Sequence, residues 1–593
     1  MPKSRSIFAR LHTTAVGAAL VVTAIPGLAQ AQAQANDAAT TTPIKHVIIV
    51  VGENHTFDNL FGAYAPQAGQ HIDNLLSKGI VNSDGSPGPN FALARQNIGQ
   101  DKGNYRAETP SVGTYSTLPQ PYTTSGIGLP PGVPDTRFPA DLPNGPYQIS
   151  KYVPYAAYTG DPVHRFFQMW QDVDGGKMDK FVWVEETIGT GSDGAPPPAG
   201  GFNPMEGAIS MGFYNMSTGD APIFKSLADQ YAISDNYHQA VMGGTGANFQ
   251  AIVSGDAAFF TNTNLDGTAA VPFNNQIENP DPVARTNNYY TQDGYGGGSY
   301  VNCADHSAPG IAGVMAELHR QGVDSANCAP GHYYLVNNYS MFWNQTSSHP
   351  GTLGPSSFTL PPQSNPTIAD VLTSHAVSWK YYSGDRGDDA SVFAASVDGV
   401  PLLFHAYCGI CDPLTGYSSI MKNPGEEAKL QNYGAFLNDV HGSTLPAVSF
   451  VRPFESLAGH PADSTTDQYE MFLQDLIAQV QSNPDLWAST AIIITTDEGG
   501  GYYDSGYIQA LDFFGDGTRI PLIVVSPYAR QGYVDHTYND HVSLLKFIEK
   551  NWSLPTVSSR SRDNLPNPVV TGNEYRPQNG PAIGDLTNLF AFP

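Results

Sequence analysis

The run Val47-Ile48-Ile49-Val50-Val51 ends abruptly on Gly52-Glu53-Asn54. Consecutive β-branched residues disfavour a helix, and without polar alternation they leave neither face of a strand for water. The segment Ile44–Val51 therefore reads as a strand buried on both faces. Similar runs recur at Val377–Tyr382, Ala447–Val451, Ala491–Thr496 and Ile520–Ser526, each followed by polar or Gly-rich sequence. Helical patterns at Thr367–Ser374, Tyr469–Ser482 and His541–Asn551 lie between several of them. Strands alternating with helices predict an α/β fold, a three-layer α/β/α sandwich around a central, mainly parallel sheet. In such sheets ligands bind beyond the carboxyl ends of the strands, so chemistry is sought there.

The rest of the 593-residue chain is organised around that core. Pro/Gly/Ser/Asn-rich stretches at about 82–150, 186–206 and 262–365 have weak periodicity and read as insertions or lids around the site. Residues 36–593 are expected to form a single catalytic domain carrying them. Residues 1–35 read as a signal peptide. Lys3, Arg5 and Arg10 precede an apolar run from Ala15 to Ala24, and Ala-Gln repeats through Ala35 offer cleavage sites. That run is too short to span a bilayer comfortably, so no stable membrane anchor is expected and a secreted or periplasmic location is.

The chain has 28 basic and 54 acidic residues. Loss of residues 1–35 removes three of the basic ones and no acid, leaving 25 against 54, a net −29. Such a balance excludes a nucleic-acid partner, which needs a basic footprint, and adsorption to anionic lipid. An anionic substrate would need a metal or local basic groups to reverse the field at the site. Cys303, Cys328, Cys408 and Cys411 form an even set, read as disulfides in an exported protein. Sequence proximity favours Cys303–Cys328 and Cys408–Cys411. Cys408-Gly409-Ile410-Cys411 also has the spacing of a redox motif or half a zinc site.

Two acidic clusters stand at predicted strand ends: Glu53 and Asn54 after the first, Asp497 and Glu498 after Ala491–Thr496. Adjacent carboxylates repel and are costly to bury unpaired, and a divalent cation held by these oxygens resolves the conflict. Either cluster alone reads first as a solvated loop or helix cap; the two together, on strands of one sheet, favour the metal. Between them lies Gly243-Gly244-Thr245-Gly246-Ala247-Asn248. Thr245 there can attack an electrophile or join a metal as its alkoxide, and Asn248 can donate to a phosphoryl oxygen. By spacing alone, Thr245 reads as a helix N-cap first. His164, His238, His460, His536 and His541 lie beside these motifs or on strand-end loops, although a lone histidine is usually structural.

In these residues the chain resembles the bacterial phosphoesterase family that contains secreted phospholipases C and periplasmic acid phosphatases, within the alkaline-phosphatase-like superfamily. The resemblance covers 43–64, 164–182, 228–256, 446–464, 488–504 and 518–552. It implies that Glu53, Asn54, Thr245, Asp497 and Glu498 hold a divalent metal, and that Thr245 is the nucleophile. It also implies that His164 and His460 line the phosphate pocket and transfer protons. Asn248, His238, His536 and His541 are the expected substrate-binding residues. The implied activity is phospholipase C-type cleavage of a small-molecule or lipid phosphodiester, with an acid phosphatase or a non-catalytic binding protein as alternatives. Two departures bear on lipid specificity. Thr245-Gly246-Ala247-Asn248-Phe249 replaces the phospholipases' Thr-x-Pro-Asn-Arg, and Asp504 is followed by Ser505 where the family has Asp-His-Val.

Overall fold

The computed structural model of the protein describes residues 36–123, 133–187, 206–261, 270–283, 297–388 and 407–593. The expected signal peptide and residues 188–205 lie outside them. Eight strands make the central sheet: β1 (His46–Gly52), β2 (Ala232–Ser234), β3 (Trp379–Ser383), β4 (Leu430–Asn432), β5 (Val448–Arg452), β6 (Thr490–Thr496), β7 (Leu522–Val525) and β8 (Tyr533–Asp535). Their order is β4-β3-β5-β1-β6-β7-β2-β8. All five expected strands form within about two residues of their predicted bounds. β2, β4 and β8 have three residues each, too short to carry a pattern.

Helices cover the sheet in two packed groups. One joins α3 (Pro222–Gln230), α6 (Tyr433–Gly442) and α7 (Thr466–Gln481); the other joins α4 (Thr245–Ser254), α5 (Ile368–Ser374) and α8 (Val542–Trp552). Local chemistry sets their starts. Thr367 caps α5 and Thr465 caps α7, each in a reciprocal box with the residue three further on, Asp370 and Gln468. Burial on both sheet faces explains why Val47 through Val50 are wholly inaccessible. The described residues contain no helix long and apolar enough to cross a membrane.

One strand runs against expectation. β7 is antiparallel to both β6 and β2, so its carboxyl end points away from the edge where the other seven deliver their loops. His536 and His541, expected on the rim because they follow that strand, do not reach it by that route. The chain first returns through β8, parallel to β2, and only then presents His536. The connection from Thr496 to Leu522 contains no helix, whereas a parallel crossover is usually built on one.

The amino end of β7 is anchored by Arg519. Its guanidinium is buried against the ring of Phe57, 4.9 Å away, and is bidentate to Asp504 at 2.9 and 3.0 Å. It also reaches Asp58 at 3.3 Å and the carbonyl of Asp235 at 2.9 Å. Burial pushes the Asp58 carboxyl up to about 6, assisted by Asp504 and opposed by Arg519. Asp504, which Ser505 follows where the family has Asp-His-Val, is thus one side of a buried clamp. Arg519→Met should remove about 3–5 kcal/mol of stability in urea unfolding, because two buried carboxylates lose their shared cation. A loss below 1 kcal/mol would show that the clamp does not hold the strand.

Candidate active site

β1 lies between β5 and β6, parallel to both, with Gly52 paired to Thr496. This register brings Glu53 and Asp497 off neighbouring strands at the same height. Asp497 N–H donates to the Gly52 carbonyl at 3.0 Å, Glu53 N–H to that of Ala458 at 2.8 Å, and the Thr496 hydroxyl to that of His55 at 3.2 Å. Glu53, Asn54, Asp497 and Glu498 are all buried. Asn54 has a left-handed backbone, φ 52°, which Asn tolerates better than most residues. Gly500, φ +59°, packs beneath it so closely that an added Cβ would stand 2.6 Å from that of Asn54.

Both amide atoms of Asn54 and both carboxylate oxygens of Asp497 are buried without a well-formed hydrogen bond. Burial, followed by the charge of Glu53, pushes Asp497 up to about 8; the nearby Thr245 hydroxyl works in the opposite direction. Buried polar groups left this way are uncommon and expensive. The donor set, with carboxylate, amide and hydroxyl oxygens, fits a hard or borderline divalent cation. The cluster is no solvated loop.

Thr245 is the first residue of α4, and Gly244 is its N-cap. The threonine hydroxyl is therefore not the cap; it points to Glu498 Oε1 at 3.4 Å. The Asn248 side chain is committed to the preceding loop: Oδ1 accepts from Val241 N–H at 2.9 Å, and Nδ2 donates to the carbonyls of Val241 and Gly243 at 3.1 and 2.8 Å. It braces the turn that presents Thr245. Asn338, from the 262–365 stretch, accepts from Gly246 N–H at 2.7 Å. Its neighbour Asn337 accepts from Phe166 N–H at 2.8 Å, at the start of α2 (Phe166–Val173), just after His164.

His164 and His460 come together, their rings 6.3 Å apart, and their surroundings separate them electrostatically. His164 Nδ1 is 2.7 Å from the Pro162 carbonyl, and its buried Nε2 has no partner. Burial, and next the neighbouring His460, push its pKa down to about 4. His460 is also desolvated, but Asp161, Glu53, Asp463 and Glu455 outweigh burial and raise it to about 10. Its Nε2 is 3.9 Å from Glu53 Oε2.

The other histidines serve elsewhere. His541 Nε2 meets the Asp497 carbonyl at 2.5 Å and its Nδ1 the Tyr237 hydroxyl at 3.0 Å, steadying the acidic loop from behind. His238 lies between the Gly517 carbonyl and Asn236 and stacks on Tyr538 at 4.3 Å. His536 faces Asp235 and Tyr575. The structure brings neither His238 nor His536 into contact with the Thr245 cluster.

Three further neighbours escape a motif reading. Asp161 joins His164 and His460, their ligand atoms within 4.8 Å of one another. Arg452, the last residue of β5, forms buried ion pairs with Glu53 and Glu455. The strand-end rule applied to β5 would have found it. Cys411 Sγ is 3.1 Å from Glu53 Oε1. Cys411 is bridged to Cys408, as Cys303 is to Cys328, so no free thiol remains for a zinc site.

Fold and cluster together define an α/β protein with a buried carboxylate, hydroxyl and imidazole centre at the carboxyl edge of its sheet. The chain belongs to the phosphoesterase family, whose sequence model matches residues 44–555. It is 23% identical to a non-hemolytic phospholipase C of Burkholderia pseudomallei over its whole length, spanning 65% of that protein. It is 22% identical to phospholipase C B of Mycobacterium tuberculosis, covering 99% of this chain and 85% of the relative. A probable acid phosphatase of Kluyveromyces lactis is 25% identical over 34% of this chain and 45% of its own length.

The stranded carboxylate has a measurable signature. An acid whose pKa is higher folded than unfolded weakens the fold as pH rises. Chelator-treated protein should therefore lose stability between about pH 4 and pH 8. Asp497→Asn should flatten that slope and, at pH 8, raise the melting temperature of the metal-free protein. An unchanged slope in Asp497→Asn would show that Asp497 is not the stressed group.

Proposed function

We propose that this protein is an exported, metal-dependent hydrolase of phosphoric esters, cleaving phosphodiesters in the manner of a phospholipase C through Thr245. The observation that carries the reading is the convergence of unpartnered Asn54 and Asp497 oxygens with the Thr245 hydroxyl in one buried centre. Glu53, Asn54, Thr245, Asp497 and Glu498 would hold the divalent cation. When bound, it supplies positive charge that favours the threonine alkoxide and the developing charge on the phosphoryl oxygens. Export agrees with the signal-like N-terminus and the two disulfides.

The chain's own groups supply the proton transfers. The Thr245 proton passes to Glu498 Oε1 as the oxygen attacks phosphorus in line and the ester bond to the alcohol breaks. His460, held as a cation by surrounding carboxylates, protonates the leaving alcohol. A divalent charge beside Glu53 would draw its pKa down from about 10 towards the working range. His164, neutral and with Nε2 free, accepts a proton from the water that then cleaves the phosphothreonine. Arg452 holds Glu53 in place.

Phosphomonoester hydrolysis is the second reading, favoured by the resemblance to the Kluyveromyces lactis protein. Chromogenic mono- and diesters separate the two, and the diester should give the higher kcat/KM.

Two outcomes test the common mechanism. Dialysis against a chelator should abolish turnover, and a divalent cation should restore it. Thr245→Ala should cut turnover by on the order of 10³-fold or more with less than about 1 kcal/mol of stability lost, since Thr245 is not the cap. Thr245→Ser should keep measurable activity because the hydroxyl survives. A stable Thr245→Ala enzyme with near-normal turnover would leave the phosphoesterase assignment standing and eliminate the covalent step.

A further inference from the structure

His536, apart from the Thr245 cluster, stands in a second constellation that the hydrolytic chemistry does not use. It follows β8. Its ring stacks on that of His71 with centroids 4.1 Å apart and planes 30° apart. His71 Nε2 is 2.6 Å from Glu574 Oε1. One potential ligand atom from each of His71, His536 and Glu574 lies within 4.8 Å of the others. The three residues come from the segment after α1 (Phe57–Phe61), the end of β8 and the C-terminal segment.

What lies behind His536 separates this group from an ordinary surface ion pair. Asp235, fully buried, accepts from His536 Nδ1 at 2.8 Å, from Asp73 N–H at 2.8 Å and from the Tyr575 hydroxyl at 3.0 Å. A carboxylate that accepts a hydrogen bond from Nδ1–H fixes the tautomer, so that Nε2 carries the lone pair. That is the arrangement in which a second-sphere carboxylate orients a metal-ligating imidazole. His71 and Glu574 are 62% and 44% exposed at their side chains, so they can turn the small distance needed to close on an ion. As a bare pair, His71 and Glu574 would add little stability at that exposure. Two imidazoles and a carboxylate, once the exposed His71 ring turns its in-plane lone pair toward the ion, match the donors of a borderline transition metal of the zinc type, not the all-oxygen shell of calcium or magnesium.

We propose that His71, His536 and Glu574 form a second metal site, selective for zinc-type divalent ions and oriented by Asp235, that ties the C-terminal segment to the end of β8. It shares no residue with the Thr245 cluster and does not depend on the hydrolytic assignment. Three protein ligands on an open surface leave one position to water.

The test compares wild type with His71→Ala, an exposed position whose loss leaves the fold intact. Both proteins are stripped with chelator, dialysed against zinc and analysed for bound metal, then titrated with cobalt(II) as a spectroscopic probe. Wild type should retain one more equivalent of zinc than His71→Ala and show visible cobalt bands that the variant and Glu574→Gln lack. Magnesium or calcium in excess should not displace them. Asp235→Asn should weaken this zinc equivalent about 10- to 100-fold, the usual effect of losing an orienting partner. Phosphoester turnover should be unchanged in His71→Ala, which separates this site from the catalytic one. Equal zinc content and equal cobalt spectra in wild type and His71→Ala would overturn the proposal.

Discussion

Mutual repulsion among buried carboxylates is the constraint on which the rest of this structure depends. Parallel, in-register pairing of β1 with β6 brings Glu53 and Asp497 side by side, with Glu498 following, in a place from which water is excluded. Nothing in strand pairing requires acids there, and the fold is less stable for having them. The surroundings respond to that stress. Arg452 pairs with Glu53, His460 takes up positive charge, Asp497 holds its proton to an unusually high pH, and the Thr245 hydroxyl turns toward the acids. Stability surrendered at a site is the usual accompaniment of preorganised chemistry.

The supporting shell explains how loops can hold such a centre. His55 links Asn59 to the Gly459 carbonyl, at 2.7 and 3.0 Å, and so locks the loop after β1 to the one bearing His460. Asn248 and Asn338 fix the turn before α4 from both sides. His541 and Arg519 brace the acidic loop and the strand beside it. Apart from Arg519, these are amides and imidazoles bonded mainly to backbone N–H and carbonyl groups. The amides and imidazoles set positions without adding charge to a place that already has too much.

How much could be read in advance depended on how local each signal was. β1 and β6 carry seven residues each and were legible, as were the acids at their ends. The three-residue strands were not, because so short a run carries no period. The direction of β7 is written in its connection, not in its own residues. Apolar content is the same for a strand running either way. Thr245 was legible as a hydroxyl among glycines, but the choice between cap and free hydroxyl rested on one backbone residue, Gly244. Asp161 belongs to no motif and takes its meaning from His164 and His460. The grouping of His71, His536 and Glu574 spans about five hundred residues, and only the folded chain brings it together.

The position of β1 has a consequence for how the molecule comes into being. It is the first of the described strands and sits in the middle of the sheet, yet the residues paired with Val47 are Val448 and Ala491. Both neighbours are made about four hundred residues later. Until they emerge, this apolar strand lacks both of its neighbours in the sheet, and the loop that must close around it is very long. That delay keeps this part of the core open until β5 and β6 have been made. It also leaves an aggregation-prone segment waiting the longest. The centre of the sheet is thus made before its neighbours and completed only when they arrive.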